Sequence, residues 1–270
     1  MRVSGSGESS HGPSEIADRD LVSVLATVLL LVLAVVAWAY VLISPMGANE
    51  MARMEMAASL SVADGLAYVA AWAVMMTAMM LPSALPMIGL YAATQRNAGS
   101  AGPKAIRVGM FTLVYLGLWA LTGIPVYFAS VALGAISAFV LPYVVAGVLV
   151  VAGIFQLSPL KQMCLRHCRS PLGFLFGHWR EGWQGGLAMG RAHALYCLGC
   201  CWALMVVLVI AGAMGLPWVL LIAAVVAAEK LLPRGEWIAR TTGVALLLLG
   251  IAVAVRPSLA AVLRAGGHSM

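Results

Sequence analysis

Of 270 residues only 10% are charged while 63% are hydrophobic, with a mean hydropathy of +0.98; a soluble domain carries roughly a quarter charged residues. So much apolar surface cannot be hidden in one water-soluble core, which excludes an ordinary soluble domain and leaves hydrocarbon as the solvent that satisfies it. The net charge of +6 does not point to nucleic acid, because the basic residues lie in short segments between apolar runs, as a positive-inside bias requires.

Within a bilayer every backbone amide must be paired internally, so the spans are helices or a closed barrel. The apolar runs are long and lack strand-like alternation. The expected fold class is therefore all-α, a polytopic transmembrane helical bundle of about seven spans with a cytoplasmic N-terminus. Residues 1–20 are Ser/Gly-rich and aperiodic and are expected to form a disordered cytoplasmic tail. The first span, over 21–43, is too long for a signal-peptide core and lacks a cleavage site, so it stays as an anchor. Further spans are expected over 66–90, 107–131, 136–157, 190–213, 216–231 and 238–255. They complete a transmembrane domain over 21–256, followed by a C-terminal tail over 257–270. The sixth span is short, lies between Pro217 and Pro233, and reads as an incomplete or tilted crossing. With the N-terminus inside, only Arg53, Arg256 and Arg264 of the 16 Lys and Arg fall outside; the opposite orientation inverts that ratio.

Along this chain the informative side chains carry sulfur. The outer loop over 44–65 holds Met46, Met51, Met54 and Met56 beside Asn49, Glu50 and Glu55. Two accounts fit: a cluster of exposed thioethers that captures a soft ion, or a short helix from about Asn49 to Leu60 lying in the interface. In the second span Met75 pairs with Met79 and Met76 with Met80, four residues apart and so on one face each. Thioethers bind Cu(I) yet cost little to bury, and Pro82 can kink the helix and free carbonyls below them. Packing alone also accounts for the run, since Met fills irregular gaps between helices.

The cysteines form two groups, Cys164/Cys168 and Cys197/Cys200/Cys201, both on the cytoplasmic side by this topology. Cytosolic thiols are kept reduced, so they read as ligands or redox centres and not as a disulfide framework. His193, Cys197 and Cys200 fall within an arc of about 60° on a helix, with Cys201 flanking them. One imidazole and two thiols make half a site for Cu(I) or Zn(II), and Cys164, His167 and Cys168 can complete it. Lys161, Arg166, Arg169 and Arg180 are expected to favour thiolate at the loop cysteines. Against this stands the use of Cys as a small apolar filler. Glu229 and Lys230, at the inner end of span six, are expected to snorkel to the interface. Arg191, Tyr196 and Trp202 lie near the thiols in sequence, where tuning and packing are equally open. Trp72-Ala73-Val74-Met75 and Trp202-Ala203-Leu204-Met205 hint at an inverted repeat.

From Leu157 to Pro171, through His178-Trp179-Arg180-Glu181-Gly182 and His193, to Tyr196-Cys197-Leu198-Gly199-Cys200-Cys201-Trp202 and Glu229 to Gly235, the chain resembles a bacterial family of predicted metal-binding integral membrane proteins. The resemblance covers roughly 65–250 and implies a multi-pass protein of the bacterial inner membrane. More locally, Met75, Met76, Met79 and Met80 below an outer Met-rich loop resemble the methionine rungs of copper transporters, although those have three spans and assemble as trimers.

Together these features lead to an expected function: handling or transport of a soft metal ion, most simply Cu(I) with Zn possible, by a non-enzymatic membrane protein. Expected partners are the lipid bilayer and a metallochaperone or other metal-handling protein, with no nucleic acid. The alternatives are a transmembrane thiol–disulfide oxidoreductase, built on the Cys-x-x-Cys spacing of Cys197 and Cys200, and a non-transporting assembly subunit. The oxidoreductase lacks a second thiol acceptor on the far side. No phosphate-binding Gly-rich loop is visible, so direct ATP coupling is not expected.

Overall fold

A computed structural model of the chain describes residues 13–43, 61–95, 101–211 and 215–265, and helix is the only regular secondary structure among them. The segment with Met46, Met51, Met54 and Met56 lies outside the described residues, as do 1–12 of the expected N-terminal tail. In chain order the helices are α1 (Pro13–Ile43), α2 (Val62–Thr94), α3 (Ala101–Leu121), α4 (Gly123–Gly134), α5 (Leu141–Leu157) and α6 (Pro159–Arg169). They continue with α7 (Pro171–His178), α8 (Gly182–Ile210), α9 (Leu216–Leu231), α10 (Gly235–Val255) and α11 (Ser258–Ala265).

Five stretches are long and apolar enough to cross a membrane: Val24–Ile43 in α1, all of α2, Gly102–Gly134 through α3 and α4, all of α8 and all of α10. A sixth exists only if α5 and α6 count as one span, and they are bent by 61°. The bend has a local cause. Ser158 is extended, its hydroxyl caps α6 by accepting from the Lys161 amide, and Pro159 starts the new helix. The sixth expected span, α9, has 16 residues, rising about 24 Å against a hydrocarbon thickness of about 30 Å.

The core forms around α8, which buries residues on most of its circumference, and around the Met-rich half of α2. Small residues let helices approach closely here, as they do between helices that gain no hydrophobic drive from a lipid surround. A Cβ on Gly190 would lie 2.5 Å from the Phe111 carbonyl oxygen, so α8 rests directly on the backbone of α3. Likewise a Cβ on Gly153 would lie 2.8 Å from the Gly243 carbonyl oxygen, which seats α5 on α10. The outward faces stay apolar, with Leu29, Val35, Leu113, Phe128, Ile154 and Leu248 all exposed. The two similar tetrapeptides occupy unlike settings: Trp72 is buried and donates to the Thr122 hydroxyl, whereas Trp202 is exposed beside Phe155.

Candidate metal centre

Five helices meet at one buried point: α2 brings a thioether and a hydroxyl, α3 a phenol, α6 and α8 thiols, and α9 an ammonium. On α2, Pro82 has no N–H to continue the helical ladder. The nearby Met80 carbonyl accepts from the Ser83 hydroxyl at 2.9 Å and from the Tyr115 hydroxyl at 3.4 Å. Met75, Met76, Met79 and Met80 are all buried. The Met80 Sδ lies 3.9 Å from Lys230 Nζ.

On α8 the three cysteines behave differently. Cys200 and Cys201 both turn their S–H groups back onto the Cys197 carbonyl, at 3.1 and 2.9 Å, the local bonding open to short polar side chains in a helix. Cys197 Sγ instead faces groups from two other helices, accepting from Lys230 Nζ at 2.9 Å and lying 3.2 Å from the Tyr115 hydroxyl. Cys168 reaches in from α6, its Sγ 3.9 Å from Cys200 Sγ. Cys164 is buried one turn earlier, where Gly199 leaves room for its sulfur: a Cβ there would lie 2.8 Å from Cys164 Sγ.

The histidines diverge. His193 is buried between Tyr115, Phe111 and Phe174, with ring centroids at 5.3, 5.9 and 5.6 Å, and its Nδ1 has no hydrogen-bond partner. A buried orphan nitrogen of this kind calls for an explanation, and an absent ligand is one. His167 stacks flat on Tyr196 at 4.2 Å, its Nδ1 against the Met163 carbonyl at 2.9 Å. The structure thus brings Cys168, Cys197, Cys200, Cys201 and Met80 together, sets Cys164 and His193 beside them, and turns His167 to an aromatic neighbour. Among the described residues no group of three or more His, Cys, Asp or Glu is placed to hold a metal ion.

The cation at Cys197 is none of Lys161, Arg166 and Arg169, three of the four expected to serve the loop cysteines. Lys161 pairs with Glu229 at 2.6 Å in full burial, Arg166 pairs with Glu236 at 3.0 Å, and Arg169 donates to the Leu232 and Pro233 carbonyls at 2.7 Å each. These contacts pin α6 to the end of α9 and the start of α10. Lys230 is the thiol cation, bonded also to the Ser83 hydroxyl at 3.2 Å. Glu229 and Lys230, expected to snorkel, are both buried, because each has partners waiting: Gln156 donates to Glu229 Oε1 at 3.0 Å while Lys161 holds Oε2, and Lys230 has Ser83 and Cys197. The sequence carried one sign of this. A charged pair in the last turn of an apolar helix is costly in lipid unless it is partnered.

Residues 69–253 match the model of the PpoB2 family, described as a copper chaperone. No curated protein and no solved structure matches the chain.

Proposed function

Since the chain belongs to the PpoB2 copper chaperone family, we propose that it holds copper as Cu(I) inside a bilayer and passes it on through its sulfur side chains. The observation that carries this is the convergence of Cys168 from α6 with Cys197, Cys200 and Cys201 from α8 at one buried spot. Thiolate and thioether are soft donors suited to Cu(I). A two-coordinate ion needs only two of them, whereas tetrahedral zinc needs four ligands, and no group of three or more His, Cys, Asp or Glu is arranged for an ion among the described residues. Bonds of about 2.3 Å on either side of an ion put two sulfurs roughly 4.6 Å apart when linear, a small adjustment from the 3.9 Å between Cys168 and Cys200.

In this proposal the chain is a multi-pass protein of the inner membrane with the N-terminus and the thiols on the cytoplasmic side. The short α9 and the bent α5–α6 pair complete seven crossings. Met46, Met51, Met54 and Met56 capture the ion outside, Met75, Met76, Met79 and Met80 carry it at depth, and the thiols with His193 receive it for a cytosolic metal-handling partner. Purified chain with Cys197, Cys200 and Cys201 all changed to Ser is expected to bind fewer Cu(I) ions per chain by metal analysis under reducing conditions. Unchanged stoichiometry would remove the thiol site.

The methionines allow a finer check. Met80→Leu is expected to weaken Cu(I) binding several-fold and Met75→Leu to weaken it less, both with little loss of stability because the swap nearly conserves volume. Equal tolerance at both positions would make the Met run packing alone.

Thiol–disulfide exchange is favoured by one observation, the 3.9 Å contact of Cys168 with Cys200. Mass spectrometry of the chain isolated without reductant distinguishes it, since exchange requires a Cys168–Cys200 disulfide or a mixed disulfide with a partner.

A further inference from the structure

Lys230 presents an accounting problem. Its ammonium is buried, and among the described residues it is bonded to a sulfur, a hydroxyl and a thioether but to no carboxylate. The neighbouring buried charges, Lys161 and Glu229, neutralise one another. A buried cation without a counter-charge is strongly unfavourable, so the charge that Lys230 is placed to meet must be borne by the atom nearest to it, Cys197 Sγ at 2.9 Å.

The charge count then constrains which ion fits. A monovalent ion bridged by two thiolates makes a unit of net charge −1, which one ammonium brings to zero. A divalent ion on the same two sulfurs is already neutral, and the ammonium leaves it at +1 in a low-dielectric interior, where one uncompensated charge costs several kcal/mol.

We propose that Lys230 is the resident counter-cation of a two-thiolate site formed by Cys197, its nearest sulfur, and one thiol of the adjoining Cys168–Cys200 pair, and that its fixed positive charge selects a monovalent soft ion over a divalent one. This deepens the copper proposal and rests on it. Lys230 acts through charge and positioning; the sulfurs hold the ion.

The test compares two ions that favour the same linear two-sulfur geometry and differ by one unit of charge, Cu(I) and Hg(II). The full chain is purified in detergent under reducing conditions as the unmodified protein, Lys230→Met, Lys230→Gln and Lys230→Arg. Cu(I) affinity is read by competition with a chromophoric Cu(I) chelator, and Hg(II) affinity by competition with a small dithiol. Loss of the charge in Lys230→Met is expected to weaken Cu(I) binding by about tenfold or more while Hg(II) binding holds or tightens, and Lys230→Arg is expected to keep the original ratio. Lys230→Gln, which retains a donor for Ser83, reports the same ratio if the Met variant does not fold.

A parallel loss of both ions would mean that Lys230 serves only to hold the helices, and would overturn the proposal. Unaltered Cu(I) binding in the charge-free variants would overturn it as well. If the unmodified chain binds no Cu(I), the copper function itself fails, an outcome separate from a wrong role for Lys230.

Discussion

Glu229→Gln is expected to destabilise the purified chain by about 3–5 kcal/mol, the usual cost of removing one member of a buried ion pair. The Lys161 and Glu229 side chains are 0% and 2% exposed and 2.6 Å apart. Removing the carboxylate therefore leaves an ammonium with no water to turn to. The reciprocal change, Lys161→Met, is expected to cost a similar amount. Combining Lys161→Met with Glu229→Leu is expected to recover most of the loss, since apolar replacement of a whole buried pair is often neutral. Thermal or denaturant unfolding in detergent, followed by circular dichroism, reads all of these. If each single variant falls within about 0.5 kcal/mol of the parent, the range of an ordinary surface substitution, the pair is not closed in the working protein.

Gly190→Ala should show the second large effect. Its added methyl would meet the Phe111 carbonyl oxygen at 2.5 Å and the Phe111 Cα at 2.9 Å. Both are backbone atoms that no rotamer change can move aside. The helices α3 and α8 must then part, at a cost of about 1–3 kcal/mol. The consequence reaches the thiols, because α3 carries Tyr115, whose hydroxyl lies 3.2 Å from Cys197 Sγ, and α8 carries Cys197 itself. Weaker Cu(I) binding should accompany the lost stability. Gly147→Ala is the matched control: a Cβ there meets nothing within 4 Å, so the change should stabilise α5 by up to about 1 kcal/mol. Equal behaviour of the two variants would show that the α3–α8 contact is looser than described.

Why some of this was legible in sequence and some was not follows from the kind of information each feature carries. Helix content and the strongly apolar spans are local properties of composition, and the i, i+3 and i, i+4 spacing of Cys197, Cys200 and Cys201 sufficed to put them on one helix. The length of a crossing is less local. The run over 136–157 reads as continuous apolar sequence, yet the helix begins only at Leu141, and Ser158-Pro159 turns the chain at its far end. The partners of Lys230 lie at Ser83 and Cys197, far away in the chain on helices whose rotation no periodicity reveals. The expectation that loop arginines would serve the thiols failed for a related reason. Nothing in the spacing of Arg166 and Arg169 announces that Glu236 and the carbonyls of Leu232 and Pro233 stand closer.

The adjacency of Glu229 and Lys230 has a mechanical side. Successive residues of a helix project about 100° apart, and these two grip different neighbours: one holds α5 and α6 through Gln156 and Lys161, the other α2 and α8 through Ser83 and Cys197. A twist of α9 about its own axis must therefore loosen both grips at once. This 16-residue helix is clamped like a key with two teeth, and whatever frees one side of it frees the other.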